Sequence, residues 1–268
     1  MTAVLLLLTL AGGPAAQSAA PPPAATISAA ATRAGSGRIW VGREAEIEAF
    51  IGAAPIERFE DIPVGVTKPR RGFFAAGSPV ASVAFKVLPP RRSGGFFENY
   101  KAEIAAYKLD RLLGLGMVPP TVEKRVKSEI GSAQLWVEEC EFLKNRSGQK
   151  APDTAAWNRQ VYRQRVWDNL IANIDRNAGN LLVDSEWNLV LIDHSRAFTS
   201  TGKMPFPMTR IDRTFLERLR SLSEDELRTH LKGLLFDGPK SLLKRRDKII
   251  EVFDKRIQQY GEAAVLTD

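Results

Sequence analysis

The chain has 268 residues, 44% hydrophobic and 26% charged, a balance that supports a folded core without staples and excludes a wholly disordered protein. Its single cysteine, Cys140, rules out an intrachain disulfide and a cysteine-based zinc site, and two histidines are too few for a histidine-rich metal centre. A net charge of +7 favours polyanionic partners, but the basic residues are scattered except for Lys244-Arg245-Arg246, a run expected on a solvated helix face, and nothing suggests binding to nucleic acid.

Residues 4–10, Val-Leu-Leu-Leu-Leu-Thr-Leu, form an apolar run followed by small residues and three prolines. The pattern predicts a signal peptide over 1–20 and hence an exported protein, periplasmic or secreted. The run is too short to span a bilayer and Pro14 stops its extension, so no transmembrane segment is expected in the mature chain. No Lys or Arg precedes it, and a leader that is not a true signal leaves the protein cytoplasmic. Residues 21–37, rich in Ala, Pro, Ser and Gly, read as a flexible linker.

A short helix is predicted over Arg43 to Ile51, then strands over Ile56–Pro63, Gly72–Ala76 and Val80–Leu88. Between the first two strands, residues 64–71 carry Gly65, Thr67 and the cations Lys68, Arg70 and Arg71. Such a turn could lie over phosphates, although a plain basic hairpin tip uses the same residues. Lys86 is a lone cation in an apolar strand, where an unpaired charge is costly. The helix predicted from Phe97 to Leu113 puts Tyr100, Ile104 and Tyr107 on one face, with Glu103 among them as the natural counter-ion for Lys86. A surface pair, or a lysine snorkelling at a strand edge, would satisfy the same residues. Gly114 and the prolines beyond it end the helix, and strands are expected at Thr121–Val126 and Gln134–Glu139. The stretch Glu139 to Leu143 then reads as the connection between a β-rich N-lobe over 38–142 and a mainly helical C-lobe over 143–268. Cys140 within it is expected to be a small core residue.

A loop over 144–156 and a helix over Trp157–Ala172 deliver the chain to Asn173-Ile-Asp-Arg-Asn-Ala-Gly-Asn180. Leu181–Val183 and Leu189–Ile192 then read as a hairpin. Its two ends meet, so Asp175 and Asn180 before the first strand converge with Asp193 after the second. Phosphoryl transfer needs this set: one carboxylate to orient the attacking hydroxyl, an amide oxygen and a second carboxylate to hold a divalent ion at the nucleotide phosphates. Ordinary turns also favour Asn, Asp and Gly. After Asp193 come a loop over 196–207 and helices over Asp212–Leu222, from the capping box Ser223-Glu-Asp-Glu226, and over Lys240–Tyr260. Strands first and helices afterwards argue for an α+β fold in two lobes.

Glu103 to Val122, with Ile-Ala-Ala-Tyr-Lys-Leu-Asp-Arg-Leu-Leu at its centre, resembles the helix and following segment of the secretory-pathway kinases of the Golgi casein kinase family. Asn173 to Asn177 and Leu191-Ile-Asp-His-Ser-Arg-Ala-Phe198 resemble that family's catalytic and metal-binding segments. They are more distantly similar to those of phosphatidylinositol kinases and HipA kinases. The resemblance covers roughly residues 56 to 200 and implies an atypical kinase fold that uses ATP with Mg²⁺ or Mn²⁺. It implies that Lys86 contacts the nucleotide phosphates, that Glu103 holds Lys86, and that Asp175 is the catalytic residue. Asn180 and Asp193 would bind the metal, and the Glu139 connection would offer backbone groups to adenine. Asn177 stands where the relatives usually have histidine, and His194-Ser195 where many kinases have Phe-Gly or Asn-Gly. The acceptor is left open: a hydroxyl on a protein, a lipid or a small molecule. A catalytically inactive kinase-fold protein that binds a nucleotide or a partner is the alternative, and a basic adaptor for an acidic partner is a third reading.

Overall fold

The computed structural model describes residues 37–63, 68–93 and 96–268. The expected signal peptide lies outside these residues, as do Gly65, Thr67 and all of the expected linker except Gly37.

Helix α1 (Glu44–Ala53) precedes strands β1 (Arg58–Asp61), β2 (Arg70–Phe73) and β3 (Ser82–Lys86). A hairpin of β4 (Arg91–Ser93) and β5 (Phe96–Glu98) leads into helix α2 (Tyr100–Leu113), followed by β6 (Thr121–Val126) and β7 (Glu129–Leu135). Strands β1, β2, β3, β7 and β6 make one antiparallel sheet in that order. Val83 and Phe85 of β3 are buried with Ala133 and Leu135 of β7 against Trp40 and the α1 residues Ile47 and Ile51. Side chains alternate along a strand, so Lys86 leaves β3 on the opposite side from Phe85. Gly131 permits the close pairing there: a Cβ on it would stand 2.3 Å from the Lys86 carbonyl oxygen.

The second half begins with β8 (Cys140–Phe142) and one turn of 3₁₀ helix, then α3 (Thr154–Leu170), β9 (Leu181–Asp184) and β10 (Leu189–Leu191). The three strands form a small antiparallel sheet in the order β10, β9, β8. Helices α4 (Arg213–Ser221), α5 (Glu224–His230), α6 (Lys240–Tyr260) and α7 (Glu262–Val265) complete it, with the parallel pair β11 (Ile211–Asp212) and β12 (Leu266–Thr267) tying the C-terminus back. Trp167, Leu170 and Ile171 are buried with Leu189, Phe215, Leu219 and Phe253. Helix α2 serves both halves. Tyr107 and Leu109 join that second core, while Tyr100 and Ile104 pack with Leu88 below the sheet.

Several expectations are corrected. Phe97 belongs to β5, and α2 starts at Tyr100, because Asn99 is extended and its side chain caps the helix by accepting from Lys101 N. Arg70 and Arg71, expected in a phosphate-facing turn, are in β2. Arg70 pairs with Glu129 at 2.5 Å, and Arg71 binds Ser82 Oγ at 2.9 Å and the Glu138 carboxylate. Both guanidiniums lie over aromatic rings, Phe59 for Arg70 and Trp136 for Arg71. The strand expected at Gln134–Glu139 runs instead over Glu129–Leu135, because its register with β6 is set by the tight turn at Lys127 and Ser128. Residues 140–142, expected to close the first lobe, hydrogen-bond with β9 of the second. Helix α3 starts three residues earlier than expected, where the Asp153 side chain accepts from Ala156 N. Arg245 is not on a solvated face. It is 2% exposed and its guanidinium donates to the carbonyls of Leu170, Thr199 and Thr201. The α5 capping box of Ser223 and Glu226 forms as expected, and Gly114 ends α2 in the left-handed conformation at φ 68°.

Candidate active site

Lys86 Nζ donates to Glu103 Oε1 at 2.5 Å and to Asp193 Oδ1 at 2.9 Å. Lys86 comes from β3, Glu103 from α2, and Asp193 from the segment after β10, so three distant parts of the chain meet on one ammonium group. Exposure separates the two acids: Glu103 is 3% exposed and Asp193 34%. Burial by itself lowers the Lys86 pKa, but Asp193 and Glu103 outweigh it and raise it, so the lysine stays cationic. Burial likewise pushes the Glu103 carboxyl up. Lys86 and His194 more than offset that and hold it well below the usual carboxylate range.

Asp193 sits at φ 56°, in the left-handed region that costs a non-glycine residue about 1–2 kcal/mol. The bend is held by His194 N, which donates to Glu103 Oε2 at 2.8 Å, and by Ser195 Oγ, which donates to Asp193 Oδ1 at 3.1 Å. Both of these bonds and the lysine use Oδ1 or Glu103, so Asp193 Oδ2 is the oxygen left to meet a ligand.

The loop from Asn173 to Asn180 is knitted by its own asparagines. Asn173 Oδ1 accepts from Asp175 N at 3.3 Å, Asn177 Oδ1 from Gly179 N at 2.8 Å, and Asn180 Nδ2 donates to the Asp175 carbonyl at 3.1 Å. The last bond spends the amide nitrogen of Asn180 and so leaves its oxygen as the atom able to bind a cation. Asp175 Oδ2 accepts from Arg196 Nη1 at 3.1 Å.

Arg176 locks this loop to the segment carrying Asp193. It is 3% exposed, pairs with the fully buried Asp168 of α3 at 3.0 Å, and donates through Nη1 to the carbonyls of Asn180 at 2.7 Å and Ile192 at 2.8 Å. Its Nη2 lies 2.9 Å from His194 Nε2. A guanidinium only donates, so Nε2 accepts and the imidazole proton is on Nδ1, which is buried and faces Glu103 Oε2 at 3.7 Å, beyond hydrogen-bond length. Burial lowers the His194 pKa, in keeping with a neutral ring.

The structure thus brings Lys86, Glu103 and Asp193 into direct contact, and joins Asp175 to Asn180. Glu139 lies between β7 and β8, exposed and at φ 55°. Gly65 and Thr67 lie outside the described residues. Among the described residues no group of three or more His, Cys, Asp and Glu side chains is placed to hold a metal by itself. A carboxylate with an amide oxygen is nevertheless a donor set that suits Mg²⁺ or Mn²⁺, hard ions that complete their shells with phosphate oxygens and water.

No protein-family model matches the chain, and no curated protein matches it in sequence. Solved structures do. The Golgi casein kinase is similar over 84% of this chain and 78% of its own, at 15% identity and a TM-score of 0.60. This chain has a kinase fold. Hydra Fam20, solved with sugar, is similar at 17% identity and a TM-score of 0.56, over 83% of this chain and 91% of its own. The Helicobacter pylori proinflammatory kinase CtkA is similar at 15% identity and a TM-score of 0.52, over 78% of this chain and 98% of its own. The Golgi casein kinase has also been solved with Mn/ADP bound. Asp168 and Glu98, which hold Arg176 and Arg196 beside Asp175, were passed over in the sequence reading, and His194 and Arg196 were noted there only as part of the segment after Leu191. Asp168-Asn169 is a polar pair inside the apolar run from Val166 to Ile171, and two buried polar residues there are the one signal that could have marked it. The link from Glu98 to Arg196 spans 98 residues of sequence and leaves no local signal.

Proposed function

We propose that the protein is an ATP-dependent phosphotransferase that moves the γ-phosphoryl group to a hydroxyl acceptor. The observation that carries this reading is the bridging of Lys86 between a sealed carboxylate and a half-exposed one. One carboxylate balances the charge of a buried lysine. This one has two, and the second faces solvent beside a loop that presents another acid and an amide.

In this reading Glu103 fixes Lys86, whose ammonium neutralises nucleotide phosphate oxygens. Asp193 Oδ2 and the Asn180 amide oxygen are the residues that would hold Mg²⁺ or Mn²⁺. The ion, when bound, would neutralise charge on the nucleotide phosphates. Asp175 takes the acceptor hydroxyl, and Arg196 keeps its carboxylate in position. The acceptor oxygen forms a bond to the γ-phosphorus as the bond to the β–γ bridging oxygen breaks. ADP leaves with that electron pair, and the hydroxyl proton passes to Asp175. Glu139 and its neighbours, as the connection between β7 and β8, supply backbone groups to adenine.

Metal–ATP titration and labelled-ATP transfer test the assignment together. Asp193→Ala weakens Mn–ATP binding, whereas Asp175→Ala leaves binding intact and reduces transfer about a hundredfold or more. Equal binding by wild type and Asp193→Ala removes the metal site. Equal transfer by wild type and Asp175→Ala removes Asp175 from the mechanism, and nucleotide binding with no transfer by either assigns the protein to the catalytically inactive alternative. Export is a separate proposal that rests on residues 4–10. Among the described residues no helix is long and apolar enough to cross a membrane, and sequencing of the mature N-terminus checks cleavage.

A further inference from the structure

A cavity of ≈ 690 Å³ lies between the β4–β5 hairpin, the first turn of α2, the loop after Asp193 and residues 234–237 ahead of α6. Neither Lys86 nor Asp193 lines it, nor does any residue of β7 or of the connection to β8, so it is separate from the nucleotide cleft proposed above. It nevertheless reaches the catalytic loop. Ile174 is in its wall, and so is Arg196, whose guanidinium is bonded to Asp175.

The wall carries four cations, Arg91, Arg92, Arg196 and Lys203, against one carboxylate, Asp237. Glu98 could cancel part of that charge. It is only 1% exposed, and it serves from behind to hold Arg196 at 2.7 Å and Arg91 at 3.3 Å. Asn99 and Ala102 add the N-terminal turn of the fourteen-residue helix α2, whose dipole also favours negative charge. The rest of the wall is mixed, with the hydroxyl residues Thr199, Ser200 and Thr201 and the apolar Phe198, Leu234 and Leu235.

Glu98 pairs with Arg91 and Arg196, and Asp175 with Arg196, so with Asp237 three acids meet four cations; the wall keeps about one net positive charge, with Arg92 and Lys203 exposed in it, and favours an anionic group such as a phosphate. The volume falls within the range of about 300–1,000 Å³ typical of small-molecule sites, and walls on four sides suit a compact ligand better than an extended polypeptide. We infer that this cavity is the acceptor subsite and that the acceptor is a compact polyol bearing a phosphate group. The phosphate rests on Arg91, Arg92 and Lys203, and a free hydroxyl of the same molecule reaches Asp175 past Arg196. That hydroxyl oxygen bonds the γ-phosphorus, ADP departs with the broken β–γ bridge electrons, and the proton goes to Asp175. The inference rests on the phosphotransferase reading and adds the acceptor class to it.

The test uses the full chain with Mn–ADP present, so that added phosphate esters are kept from the nucleotide site. Glycerol 3-phosphate and myo-inositol 1-phosphate are titrated against glycerol and myo-inositol, for the wild type and for Arg92→Gln/Lys203→Gln. Both substituted residues are exposed, so the fold does not depend on them. The expected result is saturable binding of a phosphate ester, no binding of the neutral polyols, and a loss of about tenfold or more in the variant with ADP affinity unchanged. Vesicles of phosphatidylcholine with and without phosphatidylglycerol form a second arm. Binding that requires phosphatidylglycerol assigns the phosphate to a lipid headgroup, and binding of the soluble esters alone assigns it to a free metabolite. Equal binding of neutral and phosphorylated polyols, equal affinity in the variant, or, with labelled ATP in place of ADP, preferred labelling of an acidic serine peptide over every phosphate ester would each overturn the inference. Failure to bind Mn–ADP overturns the phosphotransferase reading as well, whereas ADP binding without phosphate-ester or phosphatidylglycerol binding overturns this inference alone.

Discussion

On one side of Asp193, Lys86 and Glu103 form an ion pair whose third member is 34% exposed; on the other, Arg176 and Asp168 form one whose members are 3% and 0% exposed. Both pairs set a cation from one element against a carboxylate from a helix, and both end on the short segment from Ile192 to His194. They differ in what remains unspent. Arg176 uses its guanidinium on Asp168, on two carbonyls and on His194, which leaves no room for anything else. Around Lys86, the outer acid keeps an oxygen for a ligand. A closed network fixes the positions of two loops, and an open one beside it inherits those positions without having to be rigid itself.

Substitutions on the two sides should therefore separate stability from binding. The largest effect on folding is expected from Arg176→Ala, which leaves the fully buried Asp168 carboxylate with the neutral donors Gln164 and Asn173 but no counter-charge. A loss of about 3–5 kcal/mol follows from breaking one half of a buried ion pair, read as a lowered urea midpoint. A midpoint within experimental error of wild type would show that Gln164 and Asn173, which already donate to Asp168, are enough to hold it. Lys86→Met should cost less, about 1–3 kcal/mol, because His194 N still donates to Glu103 and Asp193 turns to solvent. Its main effect is expected in the loss of Mn–ATP binding by calorimetry, and retained affinity would blur the distinction between the two sides.

The smallest effect concerns α2, the helix that carries Glu103. Its Asp110 is 2% exposed, and burial pushes the carboxyl up to about 7, against the opposing bonds from Met117 N at 3.1 and 3.2 Å. The folded pKa is thus above the unfolded value of about 3.9, so the folded state binds the extra proton. This contribution is present below pH ~4 and is lost as pH rises towards 7. Asp110→Asn should flatten the decline of the urea midpoint between those limits. An unchanged slope would assign the pH dependence to other groups.

The sequence by itself determined the pairing of Lys86 with Glu103, the α+β order, the β9–β10 hairpin and the left-handed end of α2 at Gly114. Each follows from a local rule: an isolated cation in an apolar strand, a matching acid at helical spacing, a turn between β-formers, a glycine past the last helical residue. Strand limits were less legible, since the start of β7 depends on its register with β6 and that of β2 on cation–aromatic contacts across the sheet. Only the tertiary structure decided what Arg176 and Arg245 do. Arg245 reads as a surface cation, yet it is buried because carbonyls from distant segments converge on it, and Arg176 is held by the Asp168 carboxylate and the carbonyls of Asn180 and Ile192. It also decided that Glu98 and Arg196 stand behind Asp175, and that a cationic cavity opens beside that residue. Local rules see at most a few turns of chain. A guanidinium's partners are chosen by which backbone groups the fold brings within about 3 Å, and that is settled only when the two halves close on helix α2.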